Sequence, residues 1–240
     1  MIERATTGSV PSSSGHSLPL RTIVAAWWPL ALSWILMAAE GPALSAVVAR
    51  LPDPEIHLAA FGVVFALSLI IESPIIMLLS ASTALSRDWD SYRKLHRFMM
   101  VLGVTLTALH ALLAFTPLFD VVIVGLVRPP AEIVEPARLG LRIILPWTWA
   151  IGYRRFQQGV LIRFGHPRAV TLGTAIRLGT DAIVLTAGYL LGSAEHEALG
   201  ISGIVVAACT LAAGTSAEAI FAGLAVRPVV RWQVKSAAPV

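Results

Sequence analysis

Residues 57–85 read HLAAFGVVFALSLIIESPIIMLLSASTAL, with Glu72 as the one acidic or cationic side chain after the opening histidine. As a helix rising 1.5 Å per residue, the stretch would run roughly 40 Å, more than the roughly 30 Å of hydrocarbon in a bilayer. A helix at the edge of a soluble core keeps a charged face toward water, and this one has none. It is therefore expected to cross a membrane. The rest of the chain has the same character: 56% of residues are hydrophobic and 13% charged, where a soluble domain carries roughly a quarter charged. Mean hydropathy is +0.76.

Outward from that stretch, further apolar runs cover 22–49, 97–118, 136–158, 168–191 and 200–226. The expected fold is an all-α membrane protein of six transmembrane helices. Residues 120–127 are also apolar, but Pro117 precedes them and Pro129 and Pro130 follow, so they are assigned as a short tail of the third helix. Residues 1–20, rich in Ser, Gly and Pro and lacking the apolar core of a secretory signal, are expected to be a flexible cytoplasmic tail. The membrane domain then spans 21–227, and 228–240 form a cytoplasmic C-terminal tail.

The net charge of +4 would suggest nucleic acid in a soluble protein. Here the cations lie in short connections, where they report topology. Lys and Arg number four in Arg87–Arg97, four in Arg154–Arg168 and three in Arg227–Lys235. The alternate connections carry Arg50 alone, then Arg128 and Arg138, then none. The positive-inside rule places both termini in the cytoplasm and the chain in a plasma or inner membrane as a multi-pass protein. Trp27, Trp28, Trp89 and Trp232 fall at predicted interfaces, where indoles favour the headgroup zone. The single cysteine, Cys209, excludes an intrachain disulfide.

Ionisable residues within spans carry the functional expectation, because each costs several kcal/mol to bury. Glu40 precedes Gly41 and Pro42, with Pro29 earlier in the same helix, so the helix is expected to bend or unwind beside a carboxylate. Glu72 is the deepest carboxylate and is followed by Pro74. Arg177 and Asp181 are four apart and share a helix face, which suits either an internal ion pair or a solute contact. Arg142, beside Pro146, reaches a depth similar to Glu40 and could pair with it. The solute or ion pathway is accordingly assigned to Glu40, Glu72, Arg142, Arg177 and Asp181, and the helix-bending positions to Pro29, Pro42, Pro74 and Pro146. His110 and Glu218 read as hydrogen-bonded packing residues. No two histidines stand at metal-protease spacing, and there is no Gly-x-Ser-x-Gly elbow or phosphate-binding lysine loop. Enzymatic activity, a resident metal, a cofactor and a nucleic-acid partner are not expected.

The segments WWPLALSWILMAAEGPALSAVVARL (27–51), HLAAFG (57–62), TALSRDWDSYRKLHRF (83–98), GVLIRFGHPRAVTLGTAIRLGTDAIV (159–184) and ALGISGIVVAACT (198–210), in this order, resemble the MATE-type exporters and their wider flippase superfamily. The Trp-Trp-Pro opening with a second proline at Pro42 is most similar to the progressive ankylosis branch. The resemblance implies two six-helix lobes with substrate between them and alternating access. This chain supplies one lobe, so it is expected to act as a homodimer or with a separate second lobe. The family's coupling aspartate in helix 1 aligns with Leu44, which removes that coupling group. Export of a small organic anion, with Arg142 and Arg177 as contacts, then stands beside export of a cation. The expected function is a half-size exporter of a small organic solute. A non-transporting subunit that binds a second lobe, or a flippase of lipid-linked substrates, are the alternatives.

Overall fold

The computed structural model describes residues 20–192 and 201–237, all helical or in short turns, with no strand among them. Helix α1 covers Leu20–Val48 and α2 Pro54–Ile76, which passes with little interruption into α3, Leu78–Leu85. Helix α4 is Trp89–Phe115, and α5 is one turn, Leu118–Asp120, continued by a wide π-helical turn over Val121–Val127. Helices α6 (Ala131–Ile143) and α7 (Leu145–Arg163) meet at Ile144. Helix α8 is Pro167–Gly192, and α9 is Gly203–Val229 with a π-helical end over Val230–Val234.

Five helices are long and apolar enough to cross a membrane: Leu30–Val48, Pro54–Leu85, Trp89–Phe115, Pro167–Gly192 and Gly203–Val234. The predicted run 136–158 is not one such helix. It is divided between α6 and α7, because Pro146 has no N–H to offer the preceding turn and restarts the helix. Pro74 acts more mildly, and the break follows it at Met77. Helix α1 stays helical through Pro29 and Pro42, so the expected unwinding beside Glu40 does not occur. Residues 120–127 are not a tail of the third span. Thr116, ahead of Pro117, is extended (φ −120°, ψ 169°) and ends α4. The terminal tail 1–19, the cation-free connection 193–200 and residues 238–240 lie outside the described residues.

The sorting of side chains in α4 shows what holds the bundle. Met99, Gly103, Leu106, His110 and Leu113 are buried at helical spacing, while Phe98, Val101, Val104, Leu109, Leu112 and Phe115 are exposed. An exposed face this apolar fits lipid. The buried stripe contains the small and polar residues that let helices approach and hydrogen-bond. At the start of α4, Asp88 accepts from the amides of Asp90 and Ser91, both at 2.9 Å, in a capping box. Those hydrogen bonds, with Ser91 first, hold its carboxyl below the usual range.

Helix α7 is the hub, packing on α9, α3, α4, α2 and α8. Its approach to α3 is close: a Cβ on Gly159 would lie 2.6 Å from the Ser82 side chain and 2.7 Å from the Leu79 carbonyl oxygen. Ser82 Oγ donates to the Phe156 carbonyl at 2.6 Å. This largely buried helix is thus also one of the most polar.

Candidate functional site: a buried ionic cluster beside a cavity

Helix α7 carries Arg154, Arg155, Gln157 and Gln158 in its middle turns. Arg154 and Gln158 are one turn apart on the face turned to α9, and both meet Glu218. Arg154 Nη1 donates to Glu218 Oε2 at 2.5 Å, Gln158 Nε2 to Oε1 at 2.8 Å, and Thr174 Oγ1 of α8 to Oε1 at 3.3 Å. Glu218 is fully buried and Arg154 is 1% exposed. Such a charge stays in a low-dielectric interior only with its counter-charge and hydrogen bonds in place.

Thr174, Arg177 and Asp181 fall on one face of α8. Arg177 Nη2 donates to both carboxylate oxygens of Glu40, tying α8 to α1. Its Nε lies 3.9 Å from Asp181 Oδ2, and its Nη1 3.9 Å from Glu218 Oε2. Asp181 fits against α9 because Gly214 has no side chain there: a Cβ would lie 1.8 Å from Asp181 Oδ1.

A cavity of about 380 Å³ opens beside this cluster, between α1, α2, α7 and α8. Glu40, Glu72, Arg154, Arg155 and Arg177 stand in its wall, and Phe61, Phe65 and Trp147 supply an aromatic side. Arg155 makes no ion pair among the described residues, and its guanidinium lies 5.7 Å from the ring centre of Trp34. Its Nε has no hydrogen-bond partner. Glu72 is 1% exposed, also without an ion pair, and its Oε1 is without a hydrogen bond. A charged amphipathic solute in this cavity would meet one unpaired guanidinium and one unpaired carboxyl, with aromatic rings between them.

Four of the five residues assigned from sequence are brought together: Glu40, Glu72 and Arg177 at the cavity, with Asp181 behind Arg177. Arg142 is not among them. Its Nε donates to the Ala114 carbonyl at 3.0 Å and its guanidinium packs over Phe115 at 5.4 Å, so Glu40 pairs with Arg177 and not with Arg142. The proline positions divide in the same way. Pro146 sets the start of α7 and therefore the register of Arg154 and Arg155, whereas Pro42 leaves α1 helical. Two central residues were misread from sequence. Arg154 and Arg155 were counted as charges of a cytoplasmic connection, but α7 continues to Arg163 and buries Arg154. The signal was present in RRFQQGVLIR (154–163), where a polar patch lies inside helix-forming sequence and is followed by apolar residues, with the turn at Gly165 only later (φ 80°). No family model, no curated protein and no solved structure matches this chain.

Proposed function

We propose that the chain is one lobe of a membrane solute transporter, with the cavity walled by Glu40, Glu72, Arg154, Arg155 and Arg177 as its solute site. One observation carries this reading: the large concentration of buried charge that the helices assemble among the described residues sits at an open cavity instead of being closed into the packing. A residue that merely tolerated burial would be paired and closed into the packing, as Glu218 is. Arg155 and Glu72 are not.

In this reading α6 and α7 together form the fourth of six crossings, a discontinuous helix of the sort that builds transporter sites. Both termini are cytoplasmic, as the basic connections indicate, and the membrane is the plasma or inner membrane. Moving Arg154 and Arg155 from connection to interior leaves Arg163 and Arg168 between α7 and α8, still against a cation-free partner connection. A single lobe offers one wall of an alternating-access pathway. The working unit is therefore a homodimer or a pair with a second lobe, in keeping with the order of motifs that resembles the MATE-type exporters.

The test is flux in proteoliposomes holding the full chain, with a panel of small organic anions and cations, and with Glu72→Gln and Arg155→Gln as variants. Saturable flux that either variant reduces at least tenfold is the expected result. Folded protein that moves none of the panel would favour a non-transporting subunit, and flux that ignores both changes would remove this cavity as the solute site.

A further inference from the structure

The wall of the cavity between α1, α2, α7 and α8 offers two kinds of chemistry. Beside its charged residues, the side chains that line it are hydrocarbon, thioether or aromatic, and among the described residues none carries a hydroxyl, an amide or an imidazole. The indole N–H of Trp147 is the one uncharged side-chain donor in the wall. A sugar or a nucleoside would need several neutral partners to replace its hydration, and each polar group left unpaired is penalised. The wall suits instead a ligand that joins an ionised group to an apolar body. Its apolar side is a row of rings: the centres of Phe61 and Phe65 lie 5.8 Å apart, and those of Phe65 and Trp147 5.9 Å.

The pairing of the charges fixes the sign and number of that ionised group. Two of the three arginines are already answered, Arg154 by Glu218 at 2.5 Å and Arg177 by Glu40, with Asp181 at 3.9 Å. Arg155 is not, and its Nε is a buried donor without an acceptor. Trp147, 3% exposed, holds a second such donor at Nε1. The opposite orphan is Oε1 of Glu72. These orphans are not equivalent. A carboxyl can take a proton and become neutral, whereas a guanidinium keeps its charge at any accessible pH. The unpaired state can therefore be relieved at Glu72 without a ligand, and at Arg155 only by water or an anion. Water would leave the aromatic row hydrated; an anion with a hydrocarbon body answers both. A second negative charge on the same ligand would find no further free guanidinium, since Glu40, Asp181 and Glu218 already surround Arg154 and Arg177.

We infer that the ligand of this cavity is an amphipathic monoanion, its single oxyanion head held by Arg155 and its apolar body laid along Phe61, Phe65 and Trp147. This rests on the reading of the cavity as the solute site and narrows its substrate class. A soluble aromatic or aliphatic carboxylate and an acidic membrane lipid share the chemistry.

The test is equilibrium dialysis of the full chain in phosphatidylcholine nanodiscs at neutral pH, with empty nanodiscs as blank. The probes are naphthoate, its uncharged amide, naphthylmethylammonium and naphthalene dicarboxylate. Naphthoate should bind about tenfold more tightly than naphthamide, the increment of a charge-assisted over a neutral hydrogen bond, and more tightly than the ammonium or the dianion. Arg155→Gln should remove that tenfold preference and leave naphthamide binding unchanged, and Glu72→Gln should leave naphthoate binding intact. If the glutamine variant at Arg155 does not fold, Arg155→Lys, which keeps the charge without the planar fork, should retain part of the preference. Replacing part of the phosphatidylcholine by phosphatidylglycerol separates the two sources, since an acidic lipid that occupies the site competes with naphthoate and one that does not leaves its affinity unchanged. Equal binding of naphthoate and naphthamide would overturn the inference, as would a dicarboxylate that binds most tightly or an Arg155→Gln variant that weakens both equally. Tightest binding of the ammonium, lost in Glu72→Gln, would overturn the anion while keeping the cavity as the solute site; folded protein that binds no probe above the blank would remove both.

Discussion

Glu218→Ala is the most demanding perturbation of the ionic cluster. The carboxylate receives Arg154 at 2.5 Å, Gln158 at 2.8 Å and Thr174 at 3.3 Å, with Arg177 at 3.9 Å. Removing it leaves the Arg154 guanidinium buried without its counter-charge, a loss of about 3–5 kcal/mol. Glu218→Gln keeps an acceptor for Arg154 and loses the charge, so it should cost about 2 kcal/mol, the difference between a charge-assisted and a neutral hydrogen bond plus an opposed amide at Gln158. The pair can be isolated in a double-mutant cycle with Arg154→Met. Because an apolar group of similar volume relieves the unpaired charge, Glu218→Gln with Arg154→Met should be less destabilised than the sum of the singles by about 2 kcal/mol. The assay is equilibrium unfolding in mixed micelles against added SDS, followed by tryptophan fluorescence. Strict additivity, or Glu218→Ala within about 0.5 kcal/mol of the parent, would refute the claim that this pair holds α7, α8 and α9 together.

Gly159→Ala should destabilise by about 1–3 kcal/mol, because the added Cβ meets the Leu79 carbonyl oxygen at 2.7 Å. Gly41→Ala, with nothing within 4 Å, should leave the same unfolding midpoint unchanged or slightly raised. Asp88→Ala should speed amide exchange at Asp90 and Ser91. In the parent, the cap's contribution is present above the ordinary carboxylate pKa and is lost only as pH falls through the depressed value, so exchange at these two amides should rise selectively in strong acid. For topology, cysteines placed at Asp90 and at Glu132 in a Cys209→Ser background should label from opposite sides of sealed vesicles; labelling of both from one side would remove the six-crossing arrangement.

Periodicity and length located the long helices because a bilayer makes their apolar runs nearly continuous, and 57–85 and 168–191 fall within a few residues of Pro54–Leu85 and Pro167–Gly192. What it missed has physical reasons. The run 136–158 was read as one helix since hydropathy does not register the missing N–H of Pro146. Arg154 and Arg155 were assigned to water because a pair of adjacent cations usually marks a helix end, while the actual partner of Arg154, Glu218, lies 64 residues further on. Arg177 and Asp181 were legible as neighbours on a helix, but Arg177 turns most closely to Glu40, 137 residues away. Local spacing identifies which residues share a face and leaves open what that face meets.

The distribution of charge separates the parts of the cluster that stabilise from those left free to act. Glu40, Asp181 and Glu218 are grouped around Arg154 and Arg177, and these pairs bridge α1, α7, α8 and α9. Outside those pairs, Arg155 and Glu72 stand on the cavity wall without ion-pair partners among the described residues. Burial of an unpaired charge is tolerated where water, a solute or a proton can reach it. Arg155 and Glu72 therefore mark where the protein meets what enters the cavity, and Arg155→Gln should change binding or flux while leaving the unfolding midpoint within about 1 kcal/mol of the parent. A stability loss as large as that of Glu218→Ala would instead place Arg155 among the structural pairs and leave Glu72 as the cavity's one free ionisable group.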